Sequence, residues 1–284
     1  MIQKYFLLFA LAFITNISRA QGLDTLVKTI RLGDDTVYLK IYTKPGKNVV
    51  YAHVHENEEA SLEAGMEVLK KYGGKLFTLS HSIDTTNRNV TFEYNKTTYQ
   101  FDPNRIYTTN DTILQKNIKI ISGEGKVDTK VKKDVRNLAN IIWSETKGAK
   151  LIVALHNNKN TPATFKTLWF FINNFEPESY NITSYVKKSE FASDSNKSCD
   201  EIYINPRLNN SEFFIVTEKR DFDLFLKKKY SVVLQNAEPI DDGSMSVFAV
   251  KNKRRYINSE AKMGKIIEQT EMLELLHMTP NNID

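Results

Sequence analysis

The sequence predicts a single α/β domain whose sheet contains parallel strands. An apolar segment at 48–54 is followed by a helical pattern at 59–72 and by a second apolar segment at 76–79. This order is a β-α-β unit, which implies two parallel strands joined by a right-handed crossover. Strands and helices alternate again from 213 to 276, and no internal repeat or linker divides the sequence. With 284 residues, of which 41% are hydrophobic, the chain is long enough to bury one sizeable core.

Short apolar or alternating segments predict the strands. Two pairs of them form hairpins, the first around the turn at 33–35 and the second around 95–96. In chain order, the predicted strands are 25–30, 36–42, 48–54, 76–79, 89–94, 97–101, 151–155, 213–217, 230–234, 246–250 and 255–258.

Apolar residues at helical spacing predict four helices. In the first, Leu62, Met66 and Leu69 fall on one face, and Gly73 ends the helix. The predicted helices are 59–72, 131–146, 221–229 and 261–276. Two polar regions predict loops: the one from 102 to 128 is irregular, and the one from 157 to 212 is rich in Asn, Ser and Lys. We expect the second to lie over the site and to carry specificity.

The N-terminal segment predicts export. Lys4 provides a positive start, residues 5–14 an apolar core, and Ser18-Arg19-Ala20 a small-x-small cleavage site. The ten-residue apolar core is too short to span a bilayer, so we expect no membrane span after cleavage. The alternative is an uncleaved anchor or a buried strand. The sequence therefore predicts a signal peptide at 1–20 and one domain at 21–284, in a periplasmic or extracellular protein.

Charge and cysteine content exclude two classes of protein. The net charge is +5, but basic residues such as Lys227-Lys228-Lys229 are scattered among acids, which is typical of solvated helix faces and not of a nucleic-acid-binding stripe. We therefore expect no nucleic-acid partner. Cys199 is the only cysteine, so an exported form has no internal disulfide and depends on its core for stability.

Two segments carry residues of the kind that bind zinc. The apolar segment at 48–54 leads directly to His55 and Glu58, an H-x-x-E pair whose side chains can reach one ion. His156 ends another apolar segment in the same way, and parallel strands end at the same edge of a sheet. His53 shares a strand face with His55, so it is either a rival ligand or a close neighbour. The alternative for the first segment is a solvated acidic helix start.

Four segments together resemble one family. His55-Glu56-Asn57-Glu58 resembles the H-x-x-E motif of the zinc carboxypeptidases, and more closely the H-G-N-E form of their aspartoacylase and succinylglutamate desuccinylase branch. The other three segments follow in the family's order: Asp102-Pro103-Asn104-Arg105 is similar to its D-x-N-R element, Leu155-His156-Asn157 to L-H-N, and Tyr256–Glu260 to the strand that carries a catalytic glutamate. The resemblance implies a carboxypeptidase-like fold, in which a mixed, mainly parallel sheet has helices on both faces.

The resemblance implies a Zn²⁺ cofactor held by His55, Glu58 and His156, which leaves a coordination position open. Asp102 would accept the second ring N–H of His55 and so fix the orientation of the imidazole.

The resemblance also implies the roles of four other residues. Asn104 and Arg105 would hold a substrate carboxylate, because a guanidinium fork matches that group in two places. Glu260 would be the general base that takes a proton from water and returns it to the leaving amine. Arg88 would stabilise the developing oxyanion. Each segment also has a structural alternative: the Asp102 segment is a good turn, and Glu260 could begin the last helix.

The sequence departs from the family pattern at three places. Glu56 stands where the branch has glycine, which adds a negative charge near the metal. We identify no tyrosine that would cover the substrate, since 236–255 contains none. Asp241 and Asp242 lie near the position at which carboxypeptidases select the side chain. They could attract a basic group of the substrate, but the sequence favours a plain surface turn.

These features predict an exported zinc metallohydrolase that cleaves an amide or peptide bond next to a free carboxylate. Muropeptides or other extracytoplasmic peptides are the expected substrates. The alternative within the same fold is an N-acyl amino acid deacylase or amidase, which Asn57 and Asn157 favour. A zinc-free binding or scaffold protein is the alternative outside enzymes.

Overall fold

The computed structural model describes residues 18–20, 22–158, 180–186 and 198–278. Its strands are β1 (Ser18–Ala20), β2 (Leu23–Leu32), β3 (Asp35–Lys44), β4 (Val49–His53), β5 (Gly74–Ser80), β6 (Val90–Tyr94), β7 (Thr97–Phe101), β8 (Ile118–Ser122), β9 (Leu151–Asn158), β10 (Cys199–Tyr203), β11 (Phe213–Val216), β12 (Val232–Gln235) and β13 (Tyr256–Lys262). Its helices are α1 (Glu59–Tyr72), α2 (Asp111–Asn117), α3 (Thr129–Ser144), α4 (Lys219–Lys227), α5 (Met245–Lys251) and α6 (Ile266–Glu274).

Ten strands form one mixed sheet in the order β1-β2-β3-β5-β4-β9-β13-β11-β12-β10. Its centre, β5-β4-β9-β13, is parallel, so the carboxyl ends of these strands meet at one edge. Antiparallel pairs extend the sheet on both sides, while β6, β7 and β8 form a separate antiparallel sheet. The mixed sheet predicted from the sequence is confirmed.

Helices cover both faces of the large sheet. Along β4, Val50 and Ala52 belong to a core that includes buried residues of α3 and α5. Val49 and Tyr51 point to the opposite face, where the core includes α1, α4 and α6. This alternation follows from the two-residue period of a strand. All five residues of β4 are buried, as expected for a central strand covered on both sides.

Two predictions of local structure are wrong. The predicted loop at 102–128 contains α2 and β8, which give weak signals because α2 has seven residues and only Ile118 of β8 is buried. The predicted strand at 246–250 is the helix α5, where the Ser244 side chain accepts a hydrogen bond from the N–H of Val247 and so caps the helix. A short apolar run does not by itself distinguish a strand from a buried helix.

The predicted signal peptide lies outside the described residues, except that Ser18–Ala20 form the edge strand β1, which pairs with β2. Most of the predicted loop at 157–212 also lies outside them; its described part includes β10. In the part of the chain that the structure describes, no helix has the length and apolar character needed to cross a bilayer.

Candidate metal centre

The side chains of His55, Glu58 and His156 converge at the carboxyl edge of the parallel strands. His55 follows β4 by two residues, Glu58 immediately precedes α1, and His156 lies in β9, which is the parallel neighbour of β4. The Nδ1 atoms of the two histidines are 3.1 Å apart. One Glu58 oxygen is 3.0 Å from the first of these atoms, and the other is 3.1 Å from the second. The three donor atoms lie within 4.8 Å of one another, and all three residues are buried.

Asp102 fixes the orientation of the His55 ring. Its Oδ1 atom accepts a hydrogen bond from Nε2 of His55 over 2.8 Å, and the Asn104 N–H donates to the same oxygen over 2.7 Å. The predicted pairing of Asp102 with His55 is therefore present in the structure. With its proton on Nε2, a neutral His55 ring presents the lone pair of Nδ1 to the cluster, which is the tautomer that a metal ligand requires.

The cluster favours an ionised carboxylate. Burial alone would raise the pKa of Glu58, but His55 and His156 hold that pKa well below its usual value. The N–H of Asn157 also donates to a Glu58 oxygen over 3.1 Å. Glu58 therefore carries a negative charge between two imidazoles, as expected for a carboxylate that binds a divalent cation.

His53 is not part of this cluster. Its Nδ1 is 2.8 Å from the hydroxyl of Thr78, and its Nε2 is 3.1 Å from the main-chain oxygen of Glu58. Both ring nitrogens therefore have partners in the protein. Burial lowers the pKa of His53 to about 4, so the ring is neutral at ordinary pH. Of the two possibilities left open for His53, the structure favours the close neighbour.

Arg88 lies beside the cluster. Its guanidinium contacts a carboxylate oxygen of Glu58, and its Nη2 is 3.6 Å from Asp102. Two acids that contact the histidines thus share one cation. About a third of the Arg88 side chain is exposed, at 34%, and the residue also lines the cavity described below, so its charge is accessible from the substrate side.

Glu260 lies directly across from His156 in the sheet. The two residues are register partners in the parallel pair β13 and β9, so Glu260 belongs to a strand and does not begin the last helix. Asn258 donates a hydrogen bond to its Oε1 over 3.0 Å. Burial raises the pKa of Glu260, against the opposing effect of His156. A buried carboxylate with a raised pKa accepts a proton more readily than an exposed one, which suits a general base.

A cavity of about 390 Å³ opens over the cluster. Its volume is within the range of pockets that hold small ligands, about 300–1,000 Å³. The residues that line it are mostly polar: Glu58, Arg88, Asn104, Arg105, His156, Asn157, Asn158, Tyr180, Tyr185, Ser198, Ile215, Gln235, Asp242, Ser244, Ser246, Val247, Asn258 and Glu260. All the residues predicted for catalysis and substrate binding are therefore in its wall.

Tyr180 and Tyr185 were missed in the sequence. Their hydroxyls contact each other, and both rings pack against Phe213, with centroid distances of 5.9 and 6.2 Å. They come from the Asn-rich region predicted to cover the site, where nothing distinguishes them from other loop tyrosines. The segment at 236–255, which contains no tyrosine, contributes Asp242 and Ser244 to the cavity.

Asn104 and Arg105, predicted to hold a substrate carboxylate, both contact the loop before α5. The side-chain oxygen of Asn104 accepts from the N–H of Met245 over 3.0 Å, and its Nδ2 is 3.5 Å from Nε2 of His156. The Arg105 guanidinium contacts Asp242. Both members of this ion pair are about half exposed, 43% and 48%, so the pair faces the cavity.

Glu56, which replaces the family's glycine, braces a neighbouring loop. It accepts hydrogen bonds from the Ser80 hydroxyl over 2.8 Å, from the His81 N–H over 3.1 Å, and from both the N–H and the hydroxyl of Ser82 over 2.8 and 2.7 Å. Burial would raise its pKa, but these donors lower it. The charge predicted to act on the metal is therefore satisfied within the protein.

The donor set fits a zinc ion. Two imidazole nitrogens and one carboxylate are the ligands of catalytic zinc sites that keep a fourth position open. The Nδ1 atoms of His55 and His156 are 3.1 Å apart, and each also lies beside one oxygen of the Glu58 carboxylate, so the three donors face a common point. His55, Glu58 and His156 would hold the ion.

No protein-family model matches the chain, and no curated protein matches it. Among solved structures, an aspartoacylase family protein from Mesorhizobium loti is 11% identical, with a TM-score of 0.42 over 96% of this chain and 73% of that one. A succinylglutamate desuccinylase/aspartoacylase from Rhodobacter sphaeroides is 10% identical, with a TM-score of 0.41 over 90% of this chain and 64% of that one. Similarity at this level does not establish a shared family or activity.

Proposed function

We propose that the protein is a zinc-dependent hydrolase that cleaves an amide bond next to a free carboxylate. One observation carries the proposal: Glu58 and His156 of the buried His-Glu-His donor set line the same cavity as Glu260, a buried glutamate with a raised pKa. Three of the four segments that resemble the zinc carboxypeptidases supply these residues, so the sequence supports the same function.

Each residue has a defined task in this reaction. A zinc ion at His55, Glu58 and His156 would polarise the substrate carbonyl and acidify water. Glu260 would accept a proton from the attacking water on a carboxylate oxygen, and the resulting hydroxide would add to the carbonyl carbon. Glu260 then returns the proton to the amide nitrogen as the C–N bond breaks, giving a carboxylic acid and an amine. Arg88, accessible from the cavity, stabilises the negative charge that develops on the carbonyl oxygen.

Arg105 and Asn104 would hold the carboxylate of the substrate. Asp242 already occupies part of the guanidinium, so an incoming carboxylate shares Arg105 with an acid. A substrate that carries a cation near its carboxylate would balance this charge.

For the substrate we propose peptides outside the cytoplasm, including muropeptides, on the basis of the signal-like segment at 1–20. The second candidate is the removal of an acyl group from an N-acyl amino acid. The cavity volume of about 390 Å³ favours it, since that space suits one amino acid with a small acyl group. A zinc-free binding protein would have little use for the buried charge of Glu58 or for the base Glu260, since burying such groups costs free energy.

A combined metal and product analysis tests the proposal. The purified full-length protein is analysed for bound zinc, then offered peptides, muropeptides and N-acyl amino acids with and without a chelator, and the products are identified by mass spectrometry. We expect about one zinc per chain, cleavage that the chelator abolishes, and a rate about 10²- to 10⁴-fold lower in Glu260→Gln with zinc retained. A protein that binds no zinc, or an equal rate in Glu260→Gln, would falsify the proposal.

A further inference from the structure

The buried side chains of Asn157 and Gln269 form a hydrogen-bonded amide network that contacts Glu58 and His156. Gln269 of α6 is fully buried. Its Nε2 donates to the main-chain oxygen of His156 over 3.1 Å and more weakly to that of Ser259 over 3.4 Å. Its Oε1 accepts from Nδ2 of Asn157 over 2.8 Å. One side chain therefore connects β9, beside a donor of the metal centre, to β13, beside Glu260.

Asn157 connects the same network to Glu58. Its side-chain oxygen accepts from the N–H of Ser61 over 2.8 Å, while its own N–H donates to Oε2 of Glu58 over 3.1 Å. The Ser61 hydroxyl donates to the main-chain oxygen of Glu58 over 2.8 Å. Asn157 thus holds the carboxylate of Glu58, and Ser61 holds its main-chain oxygen.

The start of α1 explains why Asn157 is needed there. Glu58 occupies the N-cap position but makes no capping hydrogen bond with its side chain, because its carboxylate faces the histidines. A helix start leaves N–H groups without partners in the helix, and a side-chain oxygen normally satisfies one of them. Here the side-chain oxygen of Asn157, a residue of β9, accepts from the Ser61 N–H over 2.8 Å, while the main-chain oxygen of Glu58 is 3.1 Å from the same N–H. Asn157 therefore supplies the side-chain cap that Glu58 does not.

We infer that Asn157 and Gln269 are positioning residues for the proposed metal centre: Asn157 caps α1 so that the Glu58 carboxylate can face the ion, and Gln269 holds β9 against β13 so that His156 and Glu260 keep their spacing. The inference rests on the proposed function. The helix α6 contributes no described residue to the cavity wall, but through Gln269 it would contribute to the affinity for zinc.

The chain offers a matched control on the same helix. Met272 of α6 is buried in the apolar core against α1 and the sheet. Met272→Ala should loosen the packing of α6 without removing a hydrogen bond of the network. If Gln269 only helps to dock α6, Gln269→Met and Met272→Ala should have the same effect on zinc affinity.

The test measures zinc affinity by competition with a chelating dye, at a temperature where circular dichroism shows each full-length variant to be folded. We expect Asn157→Ala and Gln269→Met to weaken zinc binding by about 10- to 100-fold, as the loss of groups that orient ligands does elsewhere. Met272→Ala should change it less than threefold, although all three variants lower the melting temperature. Because both amides act on one chain of contacts, the double variant Asn157→Ala/Gln269→Met should lose less than the product of the two single effects.

The absorption spectrum of the cobalt-loaded protein gives a second readout, since it reports ligand geometry and does not depend on turnover. It should shift in the two amide variants and not in Met272→Ala. Amide variants that lose stability but keep wild-type zinc affinity and cobalt spectrum would overturn this inference and leave the proposed function standing. A wild-type protein without zinc affinity would overturn both.

Discussion

The carboxylate of Asp242 contacts the guanidinium of Arg105 in the wall of the cavity, where the sequence predicts that Arg105 binds the substrate. The pair connects the turn after β7 to the loop before α5. An arginine engaged in this way still offers further N–H groups, because its guanidinium carries five donors. The charge that a substrate meets is therefore that of an ion pair and not that of an isolated cation.

Asp242→Asn should strengthen the binding of substrates whose only charge is a carboxylate, because Arg105 no longer shares its charge with an acid. We expect KM for such substrates to fall by about 3- to 10-fold, as expected for a partly exposed ion pair. Substrates that carry a basic group near the carboxylate should lose affinity instead. Steady-state kinetics with paired neutral and basic substrates measures both effects.

Asp241→Asn is the matched control for this prediction. Asp241 precedes Asp242 in the same loop, but its side chain contacts Thr108 and Lys251 and does not line the cavity. Its removal should leave the preference between the two kinds of substrate unchanged. Equal changes in both variants would mean that general charge, not the pair with Arg105, determines the effect.

Zinc should stabilise the protein through three residues and not through His53. At zinc concentrations about 100 times the dissociation constant, binding adds about 2.7 kcal/mol to the free energy of unfolding. His156→Ala should abolish this gain, whereas His53→Gln should keep it, because both nitrogens of His53 already have partners in the protein. Thermal unfolding with zinc and with a chelator measures the shift. A shift lost in His53→Gln while the variant remains folded would show that the ligand set is wrong.

Glu56→Gly, which restores the residue of the resembling family, should destabilise the protein without improving zinc binding. The carboxylate of Glu56 accepts four hydrogen bonds from Ser80, His81 and Ser82, and their loss leaves polar groups without partners. We expect a loss of about 2 to 4 kcal/mol in the free energy of unfolding, measured by urea titration. Glu59→Gln, at the exposed start of α1, is the control and should cost less than about 0.5 kcal/mol. A tenfold gain in zinc affinity would show that the Glu56 charge does reach the metal centre.

His277 should make stability depend on pH. Its Nε2 is 2.6 Å from the Tyr51 hydroxyl and its ring stacks on Tyr72 at 4.2 Å. Burial lowers its pKa from 6.5 to about 4. Because the unfolded chain takes up the proton first, the stability that neutral His277 contributes is complete above pH 6.5 and is lost as the pH falls towards 4.

His277→Phe keeps the stacking and removes the titration. Relative to this variant, the wild type should therefore lose unfolding free energy as the pH falls below 6.5. The loss is on the order of 1 kcal/mol once screening of the partly exposed ring is considered. Urea titrations at several pH values measure it. A constant difference from pH 8 to 4 would contradict the prediction.

The sequence predicts the central elements well because their patterns are strong. The helix α1 was predicted to its terminal residues, since its apolar face and the glycines after it give both the period and the stop. The three donors of the metal centre could be found because each follows or ends a buried strand. The pairing of β4 with β9 could not be derived, since it depends on contacts between segments about a hundred residues apart.

Other parts of the site have no pattern in the sequence. Tyr180 and Tyr185 reach the cavity because of how their loop folds, and Gln269 reaches β9 because of how α6 docks. A buried glutamine in an amphipathic helix looks the same in a sequence as a glutamine at the helix boundary. The helix α5 was predicted wrongly as a strand at 246–250 for a similar reason: seven residues are too few to distinguish the helical period from the strand period.

The donors of the metal centre lie on either side of a long stretch of chain, with His55 and His156 separated by 101 positions. During synthesis, a growing chain that has not yet produced β9 possesses only two of the three groups and cannot hold the ion firmly. If the cluster binds zinc as proposed, we expect the ion to join only after β9 has been synthesised and has aligned beside β4. Bound zinc would then distinguish chains in which β4 and β9 have paired, and a fragment that stops before residue 151 should bind no zinc.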